Sequence, residues 1–354
     1  MRHELQIIYW ERFMTYQVGE LFLAEHILSD CLHAPDLEST GNPYHLEGNV
    51  LTHVALAYWS IRDFDSREDQ LVGLAVLCHD IGKPLMRKIS DKGRASFIGH
   101  GYASAMYTPK LLKHLDPDIT IREMELIISA VSAHIEVYSF KQPVPLFAED
   151  PDVIRISMKL GRADEAGSVT RNTDTIETVT FAEPMIYRFA TRTPFCQEIF
   201  ITVGVPGSGK STWAQSMDLP VFGYDNYLVN LAAERGLGDA PYSDIFDIAI
   251  AEKWVWQEKC LIDAEDHVKH GRGSIIIDGT HMGHKRRMGL YNRFQKYGNI
   301  INVMFWRDID ACIAARNESS GKYIPVSVMM DMATKFMFPR NGAMNGVRHV
   351  INPN

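Results

Sequence analysis

The chain has no apolar run long enough to span a bilayer, so no membrane partner is expected. Its start, Met1-Arg2-His3-Glu4-Leu5, lacks the basic-then-apolar order of a secretory signal. Cysteine is scarce. Cys31, Cys78, Cys196, Cys260 and Cys312 are scattered, odd in number and never spaced as C-x-x-C. That argues against a disulfide framework or a zinc ribbon and suits a reducing, cytoplasmic setting. A basic excess is missing too. The net charge of -8 speaks against nonspecific coating of nucleic acid. It leaves room for an enzyme that grips one strand end through a local basic patch. Neither an internal repeat nor a low-complexity tract is evident.

What is present suffices for two domains. The chain has 354 residues, and a hydrophobic share of 46% supports full-sized cores. The first half is patterned as helix nearly throughout. Residues 1–38 look like additional helices whose Leu, Ile and Phe spacing is core-like and carries no chemistry. Residues 171–193 are rich in Thr, include Pro184, and lack sustained helical periodicity. Beyond them, short β-branched strands alternate with helices, the α/β signature. The expected organisation is an all-α bundle over residues 1–180, a linker over 181–197, and an α/β domain with a parallel sheet and a helical lid over 198–354.

The most specific motif opens that second domain. Gly204-Val205-Pro206-Gly207-Ser208-Gly209-Lys210-Ser211-Thr212 fits G-x-x-x-x-G-K-[ST]. The glycines let the backbone wrap phosphate oxygens, and the N–H groups of the loop and of the following helix face the anion. Lys210 is expected to reach the β- and γ-phosphates and Ser211 to reach Mg²⁺. Residues 198–203 read as a buried strand before the loop. Three further features follow. A strand over 219–225 ends in Asp225, placed to take a proton from an attacking hydroxyl. A second strand, 274–278, ends in Asp278. After an apolar strand over 299–306, a helix over 308–322 carries Arg316, which is suited to neutralising transition-state charge.

The first half carries a different chemistry. Most of the fourteen histidines lie there. His53, the pair His79-Asp80, His100, His134 and Asp164 fall on separate predicted segments. Imidazole and carboxylate suit Mn, Fe, Co, Ni or Zn, and facing helices can bring such groups together. Asp80 is placed to bridge two ions, and ions so held would activate water and steady phosphoryl oxygens. Lys83, one turn beyond Asp80, is expected to hold a phosphate. His45 is a candidate to orient a ligand by hydrogen bonding. His3, His26, His33 and His114 read as surface or packing residues.

The order H…HD…D over residues 40–170 resembles the HD-domain phosphohydrolases. The runs 42–53 and 97–100 are similar to HD domains attached to tRNA nucleotidyltransferases. The resemblance implies an all-helical fold in which His53, His79, Asp80 and Asp164 hold metal. It also implies that His100 and His134 belong to a second site, with two ions such as Mn, Ni, Co or Zn. The second half, over 198–340, resembles the 5′-OH polynucleotide kinases: the loop at 204–212, Asp225 as general base, Asp278-Gly279-Thr280, and Arg316-Asn317 before Pro325. It departs from them in two places. The turn after Asp225 reads Asn226-Tyr227-Leu228, where relatives often carry an arginine. The lid run Glu318-Ser319-Ser320-Gly321-Lys322 lacks a second arginine. Lys285-Arg286-Arg287 is a candidate replacement or, equally, a solvated helix face.

Together the halves resemble the HD–Pnk fusions that heal nucleic-acid ends. The resemblance implies RNA or DNA strand ends as substrates, ATP or another NTP with Mg²⁺, and a ligase acting downstream. One half would hydrolyse 2′,3′-cyclic phosphate or phosphomonoester ends, and the other would phosphorylate 5′-OH ends. Two alternatives stay open: an HD nucleotidase fused to a small-molecule kinase, and an HD hydrolase gated by a regulatory P-loop.

Overall fold

A computed structural model describes residues 4–33, 45–135, 150–169, 197–319, 324–338 and 344–352, with the backbone alone over 316–319. The chain divides into two compact units, Met1–Tyr187 and Arg188–Asn352. Apart from Gln197, the expected linker lies outside the described residues. No helix among the described residues is long and apolar enough to cross a membrane.

The first unit is helical: α1 (Glu4–Thr15), α2 (Val50–Trp59), α3 (Arg67–Cys78), α4 (Lys83–Met86), α5 (His100–Leu115), α6 (Ile121–Ala133) and α7 (Pro151–Gly167). Two small hairpins interrupt it, β1 (Gln17–Val18) with β2 (Leu21–Phe22) and β3 (Lys88–Ile89) with β4 (Ala95–Ser96). After α1, where further helix was expected, the chain therefore forms a hairpin and then a π-helical turn over Leu23–Leu28. Local signals explain the helix starts. The Asn49 side chain accepts from Thr52 N–H at α2, and Ser66 accepts from Asp69 N–H at α3. At α6, Thr120 and Glu123 form a reciprocal capping box. The inward stripe of α6, Met124, Ile127, Ile128 and Val131, is fully buried and follows the 3.6-residue period.

Two glycines set how closely these helices pass. A Cβ on Gly167 of α7 would stand 2.8 Å from the backbone N of Ala57 in α2. One on Gly82 would stand 2.4 Å from the backbone N of Ser104 in α5. These close approaches bring α2 against α7, and the 79–83 turn against α5.

The second unit is a five-stranded parallel sheet flanked by helices. Its elements are β5 (Glu198–Val203), α8 (Lys210–Ser216), β6 (Val221–Gly223), α9 (Tyr224–Glu234), α10 (Tyr242–Ala251), α11 (Trp256–Lys269), β7 (Ile275–Asp278), α12 (His284–Phe294), β8 (Asn299–Arg307), α13 (Ile309–Ser319), α14 (Val326–Thr334) and β9 (Gly346–Asn352). The strand order is β6-β7-β5-β8-β9, all pairs parallel. The central strands read as near-continuous apolar runs because both faces are covered. Ile199, Ile201, Ile275, Ile277 and Ile300 join Trp254, Trp256, Cys260 and Phe294 in one core. Phe200, Ile276, Ile301, Val303 and Phe305 form the other. The structure departs from the sequence reading at Asp225 and adds one strand. Strand β6 ends at Gly223, so Asp225 lies in the first turn of α9 rather than at a strand end. Strand β9, unforeseen in the sequence, completes the sheet edge.

Candidate functional site

In the helical unit, helix ends and turns deliver the histidines. His79 caps the C-terminus of α3, His134 caps that of α6, and His100 is the first residue of α5. Each holds its ring by the same device. Nδ1 bonds the carbonyl three residues back: Val76 at 2.7 Å, Val131 at 2.6 Å and Phe97 at 2.7 Å. A carbonyl only accepts, so Nδ1 carries the proton and Nε2 is left facing inward. His53, in the middle of α2, turns Nδ1 toward Glu47 Oε1 at 3.2 Å and Nε2 toward Asp164 Oδ1 at 2.8 Å.

The inward nitrogens form two sets with one carboxylate between them. His53, His79 and Asp164 make the first; Asp80, His100 and His134 make the second. Asp80 Oδ2 faces the first set, 3.3 Å from His79 Nε2 and 3.6 Å from His53 Nε2. Its Oδ1 faces the second, 3.3 Å from His100 Nε2 and 3.7 Å from His134 Nε2. Among the described residues, neither oxygen takes a hydrogen bond of normal geometry. Lys83 Nζ stands 2.5 Å from Oδ2. The lysine, expected to hold a phosphate, is here buried and paired with the Asp80 carboxylate.

This donor set fits divalent cations. His53 and His79 bring Nε2 within 3.3 Å of each other, and His100 and His134 within 3.1 Å. Imidazole nitrogens meeting lone pair to lone pair need a shared proton or a shared cation. The carboxylates supply the opposite charge. Burial pushes Asp80 and Asp164 up, but His79 and the other cationic neighbours outweigh it and hold both well below the usual carboxylate range. Burial lowers the His79 imidazole, yet Asp80 and Asp164 overcome it and raise the group to about 10. Protons on these rings are what a transition ion displaces on binding. All six residues expected as ligands are thus brought together.

Glu47 and His33 were missed as members of this neighbourhood. Glu47 Oε1 accepts from His45 Nδ1 at 2.7 Å and faces His53, and Val169 N–H donates to Oε2 at 3.0 Å. It sits where a carboxylate orients a ligating imidazole. His33, read as surface or packing, is buried and stacks on His45 with ring centroids 4.3 Å apart. His45 precedes α2 and Glu47 lies two residues on, outside any helical period, so spacing carried no signal for them.

In the α/β unit, the loop 204–209 joins β5 to α8. Gly207 and Gly209 have φ of 81° and 95°, the left-handed region that favours glycine. A Cβ on Gly207 would lie 2.1 Å from the carbonyl oxygen of Cys312. Lys210 is buried, and its Nζ donates to the carbonyl of Val205 at 2.7 Å and lies 3.5 Å from Ser208 Oγ. Thr212 is exposed on the first turn of α8. Ser211 Oγ donates to Asp278 Oδ2 at 2.8 Å, while Asp278 Oδ1 is 2.8 Å from Thr202 Oγ1. A P-loop hydroxyl beside the carboxylate of a neighbouring strand is the pair that holds Mg²⁺ with a nucleoside triphosphate. The residues therefore fit MgNTP.

Asp225 accepts from Tyr242 Oη at 2.6 Å. No arginine follows it. Tyr227 bonds Asp263 at 2.9 Å and Leu228 is fully buried. The basic run at 285–287 is not one surface cluster. Arg287 is fully buried and donates to the carbonyls of His281 and Met282, each at 2.7 Å, and to that of Met337. Arg286 is exposed and stands over the Tyr224 ring, 5.0 Å from its centroid. Arg316 lies on α13 but its side chain is outside the described residues, as are Lys322 and Tyr323. Arg307, unnoticed in the sequence, donates to the carbonyl of Gly207 at 3.0 Å and braces the loop.

Comparison with known proteins agrees with this division. Residues 49–162 match the family model of the HD domain, and residues 199–339 match a family model described as an AAA domain. The chain thus joins an HD hydrolase domain to a P-loop, kinase-like domain. Among solved structures, it is similar to a protein from Chloroflexus aurantiacus proposed to be a kinase. Identity is 15%, coverage is 46% of this chain and 87% of that one, and the TM-score is 0.35. It is also similar to a gluconokinase from Sinorhizobium meliloti. There identity is 15%, coverage is 47% of this chain and 84% of that one, and the TM-score is 0.29. Neither superposition is close enough to speak to substrate.

Proposed function

We propose that the chain heals broken nucleic-acid ends: the helical unit removes 2′,3′-cyclic phosphate or terminal phosphate, and the α/β unit phosphorylates a 5′-OH. The carrying observation is that one chain holds two phosphate chemistries. Asp80 lies between two histidine sets in one unit, and the Ser211–Asp278 pair lies beside a P-loop in the other. Cleaved RNA commonly presents a cyclic phosphate on one end and a 5′-OH on the other, and ligation needs both reversed.

In the helical unit, His53, His79 and Asp164 would hold one divalent ion and His100 and His134 a second, with Asp80 available to both sets. When bound there, such ions would supply Lewis-acid polarisation of the phosphoryl group and activation of water. Lys83 adds positive charge for the phosphate. Hydrolysis forms a bond from water oxygen to phosphorus and breaks one ester P–O bond, the alkoxide leaving with a proton.

In the α/β unit, Ser211 and Asp278 would hold Mg²⁺, and the loop N–H groups with Lys210 would cradle the phosphates. The 5′-OH attacks the γ-phosphorus, its proton passes to Asp225, and the bond to the β-phosphate oxygen breaks. Tyr242 orients Asp225 for that transfer. Arg316 neutralises the transferring phosphoryl group. Arg286, beside Tyr224 and the only arginine of the 285–287 run left outside the core, takes the substrate phosphate.

One observation favours a small-molecule kinase instead: nothing cationic follows Asp225 in the turn 226–228. Transfer of labelled γ-phosphate to a 5′-OH oligonucleotide and to free nucleosides separates the readings. The proposal expects oligonucleotide labelling that Asp225→Ala abolishes while cyclic-phosphate hydrolysis persists. Labelling of nucleosides alone would sink the strand-end assignment. Transfer undiminished in Asp225→Ala would remove the base.

A further inference from the structure

Beside the two histidine sets lies a third group of metal-type donors, on the far side of the His53 ring. His33, His45 and Glu47, together with His53, present ligand atoms that all lie within 4.8 Å of one another. The three come from two segments flanking residues 34–44, held by pairings at the base: Leu32 bridges Asn49, and His33 N–H donates to the carbonyl of Gly48 at 3.0 Å. Glu47 is fully buried at its side chain, and His33 is 1% exposed.

The decisive detail is His33. Among the described residues, neither of its ring nitrogens forms a hydrogen bond, although both are buried. Its Nε2 stands 3.6 Å from Glu47 Oε1. A buried imidazole normally spends one nitrogen as donor and the other as acceptor, and leaving both unmade is unfavourable. His33 therefore has an unsatisfied demand aimed at a carboxylate that His45 and His53 already face. Two imidazoles and one carboxylate are the donor set that zinc and its neighbours take when a coordination position is left open.

We propose that His33, His45 and Glu47 form a third site for a divalent transition ion, adjoining the pair of histidine sets through His53. His53 serves both sides. Its Nε2 faces Asp164 and Asp80, and its Nδ1 faces Glu47, the carboxylate that would carry the added ion. Loading of the third site is then coupled to that of the first through one imidazole. The ligand is a bare divalent cation of the Mn-to-Zn series with water in the open position.

Metal content decides the matter without reference to activity. The full chain, without nucleotide, is saturated with Zn²⁺ or Co²⁺, desalted, and its metal-to-protein ratio measured, with Co²⁺ absorption as a second readout. Wild type is expected to hold three ions, His33→Ala and the milder His33→Gln each one fewer, and Asp80→Ala to lose ions while keeping the His33-dependent one. Circular dichroism establishes that the variants are folded. A wild type holding two ions, with His33→Gln also holding two, overturns this proposal and leaves the two-ion reading intact. A single ion that His33→Gln removes and Asp80→Ala does not would uphold the third site while sinking the two-ion reading.

Discussion

Gly207→Ala concentrates the kinase argument in one atom. The native φ of 81° costs a side-chain-bearing residue about 1–2 kcal/mol. The new Cβ would also meet the Cys312 carbonyl oxygen at 2.1 Å, and that neighbour is backbone, which cannot rotate aside. The loop must therefore open. Opening breaks the bond from Arg307 to the Gly207 carbonyl, a charge-assisted contact of 3.0 Å worth about 1.5 kcal/mol. Together these terms reach about 3 kcal/mol, or roughly 100-fold in binding. Calorimetric titration with MgATP is expected to show that loss. Phosphoryl transfer is expected to fall at least as far, while cyclic-phosphate hydrolysis in the helical unit is unchanged. An affinity within threefold of wild type would refute the premise that this loop geometry is what grips the nucleotide.

Other consequences are equally open to test. Arg287→Ala removes three carbonyl contacts from a fully buried guanidinium, which predicts a loss of about 3 kcal/mol and a melting temperature lower by roughly 6 °C or more. Unchanged melting with weakened oligonucleotide binding would return Arg287 to the strand-contact role. In the helical unit, the bond from Arg67 Nε at 2.6 Å, with the Thr120 cap, holds the Glu123 carboxyl down at about 2. A depressed carboxyl adds stability above its unfolded pKa and loses it as pH falls through its folded one. Urea midpoints of wild type should therefore decline between about pH 4.5 and 2, and Glu123→Gln should flatten that part of the decline. Parallel curves would contradict the pairing.

The HD pattern was legible in part because helices that carry or precede its residues have local start signals. Asn49 and Ser66 mark where α2 and α3 begin, and the His79-Asp80 pair follows directly on α3. The P-loop was legible because its chemistry demands fixed residue types at fixed spacing. What escaped was held by tertiary contact. Glu47 and His33 meet only when the segments flanking 34–44 are paired. Asp225 was placed on a strand because the apolar run 219–224 hides the early turn into α9. Arg287 looked like surface charge, yet α12 turns it inward onto carbonyls that no sequence pattern announces. Edge strand β9 mixes buried and exposed positions without regular alternation, so period gave no sign of it.

The central claim is that one chain treats both ends of a broken strand. The most direct measurement supplies the purified protein with Mn²⁺, ATP and an RNA carrying a 2′,3′-cyclic phosphate and a 5′-OH, then analyses the two ends separately. The account predicts an opened or removed 3′-terminal phosphate and a new 5′-phosphate. Asp80→Ala should lose only the first change and Asp225→Ala only the second. An RNA with both ends untouched, under conditions in which the protein turns over ATP or a free nucleoside, would contradict it.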